Sequence, residues 1–93
     1  MKKQIAILGS TGSIGTQALD VIERHSDLYE VYCLTANNRV KELAEQARKF
    51  KPAVVVIANE EHFLELKELL SDCPDINVYA GKQALDDIVT AGP

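Results

Sequence analysis

Short apolar runs alternate along the chain with stretches in which apolar residues recur every three or four positions. The runs over 5–8 and 53–58 are continuously apolar, which is typical of strands covered on both faces of a sheet. A run over 31–36 predicts a strand between them. The run over 76–80 alternates apolar with polar residues, so we expect a strand at the sheet edge with one face in water.

The stretches between these strands have the apolar periodicity of amphipathic helices. The first predicts a helix over 13–25, with an apolar stripe of Ile14, Ala18, Val21, Ile22 and His25. The second ends at Lys51-Pro52, and its stripe comprises Val40, Leu43, Ala44, Ala47 and Phe50. The third is expected to begin with Asn59 as its N-cap and to turn one side inward, formed by Phe63, Leu66, Leu69 and Leu70. A fourth helix, over about 82–90, is expected to run out at 91–93.

A glycine-rich segment over 9–15, Gly-Ser-Thr-Gly-Ser-Ile-Gly, follows the first strand and opens the first helix. Gly9 allows a sharp turn, Gly12 leaves room for a diphosphate to approach the backbone, and Gly15 permits close packing of the helix. The N–H groups of the first helical turn attract an anion, and the hydroxyls of Thr11 and Ser13 can donate to the same phosphates. This context predicts a dinucleotide-binding turn. The alternative is a tight strand-to-helix turn without a ligand.

The end of the second strand is the place where the adenosine ribose of a bound dinucleotide would lie. NAD-preferring domains have an acidic residue there, about 20 residues after the glycines, whereas this chain has Asn37, Asn38 and Arg39. A guanidinium can bind a 2′-phosphate through two hydrogen bonds, and the amides can donate to it. We therefore predict NADP rather than NAD. The alternative for Arg39 is a solvated residue at the start of a helix.

The strict alternation of strands and helices predicts an α/β fold, a Rossmann-like parallel sheet with right-handed crossovers and helices on both faces. The first three strands would lie in the order 3-2-1, and an edge-like fourth strand extends this order to 4-3-2-1. The first strand then has one open edge, although it is central in a complete fold of this type. We therefore expect residues 1–93 to be a truncated N-terminal dinucleotide-binding domain that can self-associate through this edge.

Composition narrows the remaining function classes. A net charge of −4 argues against general nucleic-acid binding. No apolar stretch is long enough for a signal peptide or a membrane span, so we expect a cytoplasmic protein without a membrane partner. We interpret Cys33 as a strand-core residue, Cys73 as a loop thiol, and His25 and His62 as non-catalytic. We expect neither catalytic residues nor metal ligands in these 93 residues.

The segment over 7–15, Ile-Leu-Gly-Ser-Thr-Gly-Ser-Ile-Gly, resembles the opening of the 1-deoxy-D-xylulose 5-phosphate reductoisomerase family. Further similarity over essentially the whole chain lies at 19–21, 34–38, 51–52 and 80–81. The resemblance implies that Thr11, Gly12, Ser13 and Ile14 contact the diphosphate of NADPH. It also implies that Asn37, Asn38 and Arg39 surround the 2′-phosphate, although the family often has Gly-Lys or Gly-Ser in place of Asn37-Asn38.

The same resemblance implies a reaction that the full-length protein carries out. Members of the family rearrange 1-deoxy-D-xylulose 5-phosphate and reduce the product with NADPH to 2-C-methyl-D-erythritol 4-phosphate, in the non-mevalonate route to isoprenoids. They are homodimers and use a divalent metal, Mg or Mn, whose ligands we expect beyond residue 93. The residues themselves leave two alternatives open, a stand-alone nucleotide-binding sensor module and the start of another NAD(P)-dependent dehydrogenase.

Overall fold

The structure is a computed structural model that describes the backbone of residues 2–91 and the side chains of residues 2–88. Its strands are β1 (Lys3–Ile7), β2 (Tyr29–Ala36), β3 (Val54–Ile57) and β4 (Asn77–Ala80). Its helices are α1 (Ser13–Arg24), α2 (Val40–Phe50), α3 (Phe63–Leu69) and α4 (Lys82–Ala91), with a 3-10 turn (Glu60–His62) before α3. Each predicted element is present, with boundaries that shift by up to three residues. The last helix extends one residue beyond its expected end at 90, and residues 92–93, over which it was expected to run out, lie outside the described residues.

The four strands form one parallel sheet in the order β1-β2-β3-β4. The predicted order 4-3-2-1 is therefore confirmed. Ile7 pairs with Leu34 of β2, and Leu34 pairs in turn with Val55 of β3. Because all strands run in the same direction, their carboxyl ends lie along one edge of the sheet, and the turns that follow β1 and β2 are neighbours there.

Helices cover both faces of the sheet, as predicted. Each step from β1 to β4 moves one strand in the same direction, so right-handed crossovers place α1, α2 and α3 on one face. The main core lies there and includes Leu19, Leu34, Leu43, Val55 and Leu66. The helix α4 lies on the opposite face, where Ala84, Leu85 and Ile88 pack against Cys33, Val54 and Val56.

The prediction that the first strand is covered on both faces is wrong. Within β1 only Ile7 is buried, while Ile5 is half-buried and Ala6 is exposed. Leu8, which follows the strand, is 54% exposed. The physical reason is that β2 is the only neighbour of β1 among the described residues, and α4 contacts β3 and β4 instead. The expected edge position of β4 is confirmed, since within residues 2–91 it pairs only with β3, and it exposes Tyr79.

The buried face of α1 also differs from the predicted stripe. Gly15, Leu19 and Ile22 are buried, whereas Ile14 is 84% exposed and Val21 is 51% exposed. The helix is rotated because Gly15 packs directly on the backbone of the preceding turn. The periodicity of apolar residues could not predict this close packing of Gly15, because glycine has no side chain and is not counted as apolar.

The predictions for the next two helices are closer to the structure. The α2 stripe is buried at Val40, Leu43, Ala44 and Ala47. The helix ends at Phe50, and its C-cap residue Lys51 adopts a left-handed conformation with φ of 50°. Asn59 caps the third helical segment, as predicted, by accepting a hydrogen bond from the Glu61 N–H at 3.0 Å. The first turn of that segment is a 3-10 turn, so the α-helix itself begins only at Phe63.

Candidate functional site

Two turns lie side by side at the carboxyl edge of the sheet. One joins β1 to α1 over 8–12, and the other joins β2 to α2 over 37–39. A cavity of about 590 Å³ opens between these turns and α4, lined by Leu8, Gly9, Thr35, Ala36, Asn37, Leu85 and Asp86. In open parallel sheets, ligands bind in crevices of this kind outside the carboxyl ends of the strands.

The β1–α1 turn is fixed by hydrogen bonds to β2. The Gly9 N–H donates to Thr35 Oγ1 at 2.9 Å, and the Ser10 N–H donates to the Thr35 carbonyl oxygen at 2.8 Å. Gly9 has a φ of 72°, in the left-handed region that favours glycine, which allows the chain to leave the strand sharply. Gly12 then closes the turn by donating its N–H to the Gly9 carbonyl oxygen at 3.1 Å.

The other two glycines of the motif differ in what surrounds them. A Cβ on Gly15 would lie 2.7 Å from the Ser10 Cα and nearer still to the Gly9 carbonyl oxygen, so the fold excludes a side chain there. A Cβ on Gly12 would meet only the Gly9 carbonyl oxygen, at an ordinary 3.5 Å, and Gly12 has an unstrained φ of −80°. The fold therefore requires glycine at 15 but not at 12, where the open side faces solvent.

The N-terminus of α1 is available to an anion. Gly12 is its N-cap residue, none of the side chains that the structure describes caps the helix, and its first turn contains no acidic residue. The N–H groups of Ser13, Ile14 and Gly15 have no carbonyl partner within the helix. The side chains of Ser13 and Ile14 are exposed and that of Thr11 is half-buried. The turn thus offers N–H and O–H donors to a phosphate at the positive end of a helix dipole.

Three polar residues that sequence reasoning missed hold this turn in place. The fully buried Ser10 hydroxyl donates to Gln46 Oε1 at 2.6 Å, and Gln46 Nε2 donates to the Ser10 carbonyl oxygen at 2.8 Å. Thr35 supplies the acceptors already described. A signal for Gln46 was present, because it lies three residues after Leu43 and four before Phe50, on the apolar side of α2.

The β2–α2 turn carries the other predicted site residues, and all three are exposed. The Asn37 carbonyl oxygen accepts a hydrogen bond from the Asn59 N–H at 3.0 Å, and Asn38 Oδ1 accepts one from Asn59 Nδ2 at 2.7 Å. Arg39 is the N-cap residue of α2, and its Nη1 lies 3.5 Å from Glu42 Oε2. Since exposed pairs of this kind contribute little, Glu42 does not prevent Arg39 from binding a phosphate.

The remaining reactive side chains, those of Cys33, Cys73 and His62, are not among those that line the cavity between these turns and α4. Cys33 is buried in the sheet, and burial raises the pKa of its thiol to about 11, which keeps it protonated at neutral pH. Cys73 is also a free thiol, and His62 Nδ1 lies 3.5 Å from Glu65 Oε1 on the surface. Among the described residues, no group of three or more His, Cys, Asp or Glu side chains could hold a metal ion. No helix within residues 2–91 combines the length and apolar composition of a membrane span.

Residues 5–93 match the protein family described as 1-deoxy-D-xylulose 5-phosphate reductoisomerase. The enzyme of that name from Phocaeicola vulgatus is 73% identical over 93 residues, a match that covers 100% of this chain and 24% of the relative. That from Bacteroides thetaiotaomicron is 73% identical over 92 residues, covering 99% of this chain and 23% of the relative. The chain therefore spans about a quarter of the length of the curated relatives it matches.

Solved structures share both the fold and the sequence. The reductoisomerase from Zymomonas mobilis, in complex with NADPH, superposes with a TM-score of 0.89 at 40% identity and covers 94% of this chain and 23% of that protein. A DOX-P reductoisomerase in complex with NADPH, fosmidomycin and magnesium gives a TM-score of 0.86 at 31% identity, covering 92% of this chain and 21% of that protein.

The agreement covers nearly the whole chain, because the family match spans residues 5–93 and the Zymomonas mobilis structure covers 94% of the chain. It decides among the alternatives that the residues left open, a sensor module and another type of dehydrogenase. The chain belongs to the 1-deoxy-D-xylulose 5-phosphate reductoisomerase family.

Proposed function

We propose that this chain is the NADPH-binding portion of a 1-deoxy-D-xylulose 5-phosphate reductoisomerase. The glycine-rich segment over 9–15 binds the diphosphate, through Gly9, Thr11, Gly12, Ser13, Ile14 and Gly15. The turn over 37–39 binds the 2′-phosphate of the adenosine ribose, through Asn37, Asn38 and Arg39. Support comes from a 40%-identical relative that was solved in complex with NADPH and shares this fold at a TM-score of 0.89.

The observation that carries the proposal is the contrast between the glycines at the N-terminus of α1. The fold itself has room for a side chain at Gly12, so its open side is free for a ligand that must approach the backbone. The first turn of α1 has no acidic residue and no cap from any side chain at residues 2–88, which leaves its N–H groups to an anion. A diphosphate has the charge and the acceptor oxygens that this arrangement requires.

The β2–α2 turn is expected to select between NADP and NAD, because the two cofactors differ only in the 2′-substituent of the adenosine ribose. Replacing Arg39 with Ala removes a charge-assisted hydrogen bond worth roughly 1.5–3 kcal/mol, or about 10- to 150-fold in affinity. We expect Arg39→Ala to weaken binding of 2′,5′-ADP by about tenfold or more and to leave binding of 5′-AMP nearly unchanged. Arg39→Asp should bind 2′,5′-ADP more weakly still, because it adds repulsion. Calorimetric or NMR titration of the chain measures both affinities.

Arg24→Ala is the matched control, since it removes the same charge from an exposed ion pair with Asp20 at the far end of α1. It should change neither affinity by more than about twofold. Glu42→Gln releases Arg39 from its neighbouring carboxylate and should strengthen binding of 2′,5′-ADP slightly. Equal weakening of both ligands by Arg39→Ala, or no weakening of either, would contradict the assignment of Arg39 to the 2′-phosphate.

The activity of the full-length protein follows as part of the same proposal. With NADPH and a divalent metal, Mg or Mn, it rearranges 1-deoxy-D-xylulose 5-phosphate and reduces the product to 2-C-methyl-D-erythritol 4-phosphate. We propose that it acts as a homodimer in the cytoplasm, where its two free cysteines would stay reduced. Fosmidomycin and magnesium are present in a structure of a relative that is 31% identical.

The 93-residue chain by itself should lack this activity. Hydride transfer requires the nicotinamide ring, the substrate and the metal within reacting distance, and the described residues contain no carboxylate cluster that could hold the metal. An assay of NADPH oxidation with substrate and Mg or Mn should give only background. Metal-dependent turnover by the purified chain would refute this expectation.

A further inference from the structure

Asn59, which follows β3, is connected to the neighbouring β2–α2 turn by two hydrogen bonds. Its backbone N–H donates to the Asn37 carbonyl oxygen at 3.0 Å. Its side-chain Nδ2 donates to Asn38 Oδ1 at 2.7 Å, while its own Oδ1 accepts the Glu61 N–H at 3.0 Å. The cap therefore fixes which way the Asn59 amide faces: the oxygen faces its own helix and the NH₂ group faces Asn38.

This fixed orientation determines the orientation of the Asn38 amide in turn. With Oδ1 of Asn38 occupied by Asn59, its NH₂ group faces away from β3 and has no acceptor among the described residues. The Asn38 backbone is held as well, since its carbonyl oxygen accepts the Val40 N–H at 2.8 Å. A preoriented amide donor at an exposed position suits an anion, because the donor loses little conformational entropy when it binds.

We propose that Asn59 is a positioning residue for 2′-phosphate recognition, and that it acts by directing the Asn38 NH₂ group toward the phosphate. This inference rests on the proposed function and adds to it a residue outside the two turns, which touches the nucleotide only through Asn38. The group it recognises is a phosphate monoester on the ribose. Asn59 thus contributes to the difference in affinity between nucleotides with and without that phosphate.

The substitution Asn59→Asp tests the inference without removing the helix cap. The new carboxylate can still accept the Glu61 N–H, and Asp is as good an N-cap as Asn. A carboxylate cannot donate to Asn38 Oδ1, so the Asn38 amide should reverse and present its oxygen outward. We expect the ratio of affinities for 2′,5′-ADP and 5′-AMP to fall by roughly fivefold or more, while the thermal midpoint of unfolding stays the same or rises.

Two further variants separate orientation from charge. Asn77→Asp makes the same change at an exposed residue that begins β4, at the opposite edge of the sheet, and should leave the affinity ratio unchanged. Asn59→Ser adds no charge and keeps a capping oxygen, but it cannot reach Asn38 with an amide. It should lower the affinity ratio about two- to threefold, because the Asn38 amide then rotates freely.

A double-mutant cycle with Asn38→Ala shows whether Asn59 acts through Asn38. In the Asn38→Ala background, Asn59→Ser should have no further effect on the affinity ratio. An equal loss in both backgrounds would overturn the positioning role, as would an unchanged ratio in Asn59→Asp when the unmodified chain prefers 2′,5′-ADP. If the unmodified chain shows no preference for 2′,5′-ADP, the proposed function itself fails and this inference fails with it.

Discussion

Gly12 and Gly15 belong to the same seven-residue glycine-rich segment over 9–15, yet glycine serves a different purpose at each position. At Gly15 the reason is internal, since the backbone at 9–10 occupies the space that a Cβ would take. At Gly12 the fold leaves that space open. The spacing of glycines in the sequence does not distinguish a position where a side chain is excluded from one where it has room, because both residues are glycine.

Alanine at position 15 should therefore mainly lower the stability of the fold, whereas alanine at position 12 should mainly weaken nucleotide binding. Gly15→Ala is an overpacked contact against backbone and should lower the free energy of unfolding by about 1–3 kcal/mol. Gly12→Ala should lower it by less, about 0.5–1 kcal/mol, because the only loss is that alanine is a poorer N-cap residue for α1 than glycine. Gly12→Ala should instead weaken binding of NADPH about tenfold, or roughly 1.4 kcal/mol, because the Cβ faces the expected diphosphate. Urea unfolding and nucleotide titration measure the two effects.

Each variant serves as the control for the other. If Gly12→Ala unfolds as easily as Gly15→Ala, the space at Gly12 serves folding and gives no reason to place a ligand there. If Gly12→Ala is stable and binds NADPH as tightly as the unmodified chain, the diphosphate does not approach this backbone.

Among the elements, α2 takes part in both turns of the site. Its N-terminus begins with Arg39 in the β2–α2 turn, and Gln46 in its second turn makes two hydrogen bonds to Ser10 in the β1–α1 turn. The apolar stripe that packs α2 on the sheet fixes its position relative to both. A displacement of α2 would therefore alter the diphosphate turn and the 2′-phosphate turn together.

Removing the Gln46 side chain should loosen the β1–α1 turn. Gln46→Ala leaves the buried Ser10 hydroxyl with one long bond, to the Thr35 carbonyl oxygen at 3.3 Å. Loss of partners for buried polar groups costs about 1–3 kcal/mol in the free energy of unfolding. We also expect faster amide exchange over 9–12. Gln17→Ala, at an exposed position on α1, is the control and should stay within about 0.5 kcal/mol. Similar unfolding curves for the two variants would show that the Ser10–Gln46 contact is dispensable.

For the whole molecule, the dominant feature is the open edge at β1. Its backbone pairs on one side only among the described residues. Apolar side chains beside it, including Ile5, Val21 and Tyr29, line a depression of about 510 Å³ between β1 and α1. A strand edge with unpaired N–H and C=O groups and apolar surroundings is a template for pairing with another chain.

We therefore expect the 93-residue chain to form dimers or larger species as its concentration rises. Sedimentation velocity or light scattering over a concentration series measures the association. Ala6→Lys places a charge at an exposed position of β1 and should shift the distribution toward monomer. Lys67→Ala, a substitution on the exposed face of α3, should leave the distribution unchanged. A monomeric unmodified chain at high concentration would rule out association through β1, as would an unchanged distribution in Ala6→Lys.

The sequence by itself determined the alternation of strands and helices, the parallel order of the sheet, the edge position of β4 and the glycine turn. These features depend on local chemistry, which short stretches of sequence reveal. Examples are the apolar periodicity, the ability of Gly9 to adopt a left-handed conformation and the proline after Lys51. Only the tertiary structure decided which side of α1 is buried, how exposed β1 is, and that Gln46 and Asn59 hold the two turns. The buried side of α1 depends on how Gly15 packs against the backbone at 9–10, and the exposure of β1 depends on which elements lie beside it. The roles of Gln46 and Asn59 depend on contacts with Ser10 and Asn38, which are distant in the chain and which apolar periodicity cannot identify.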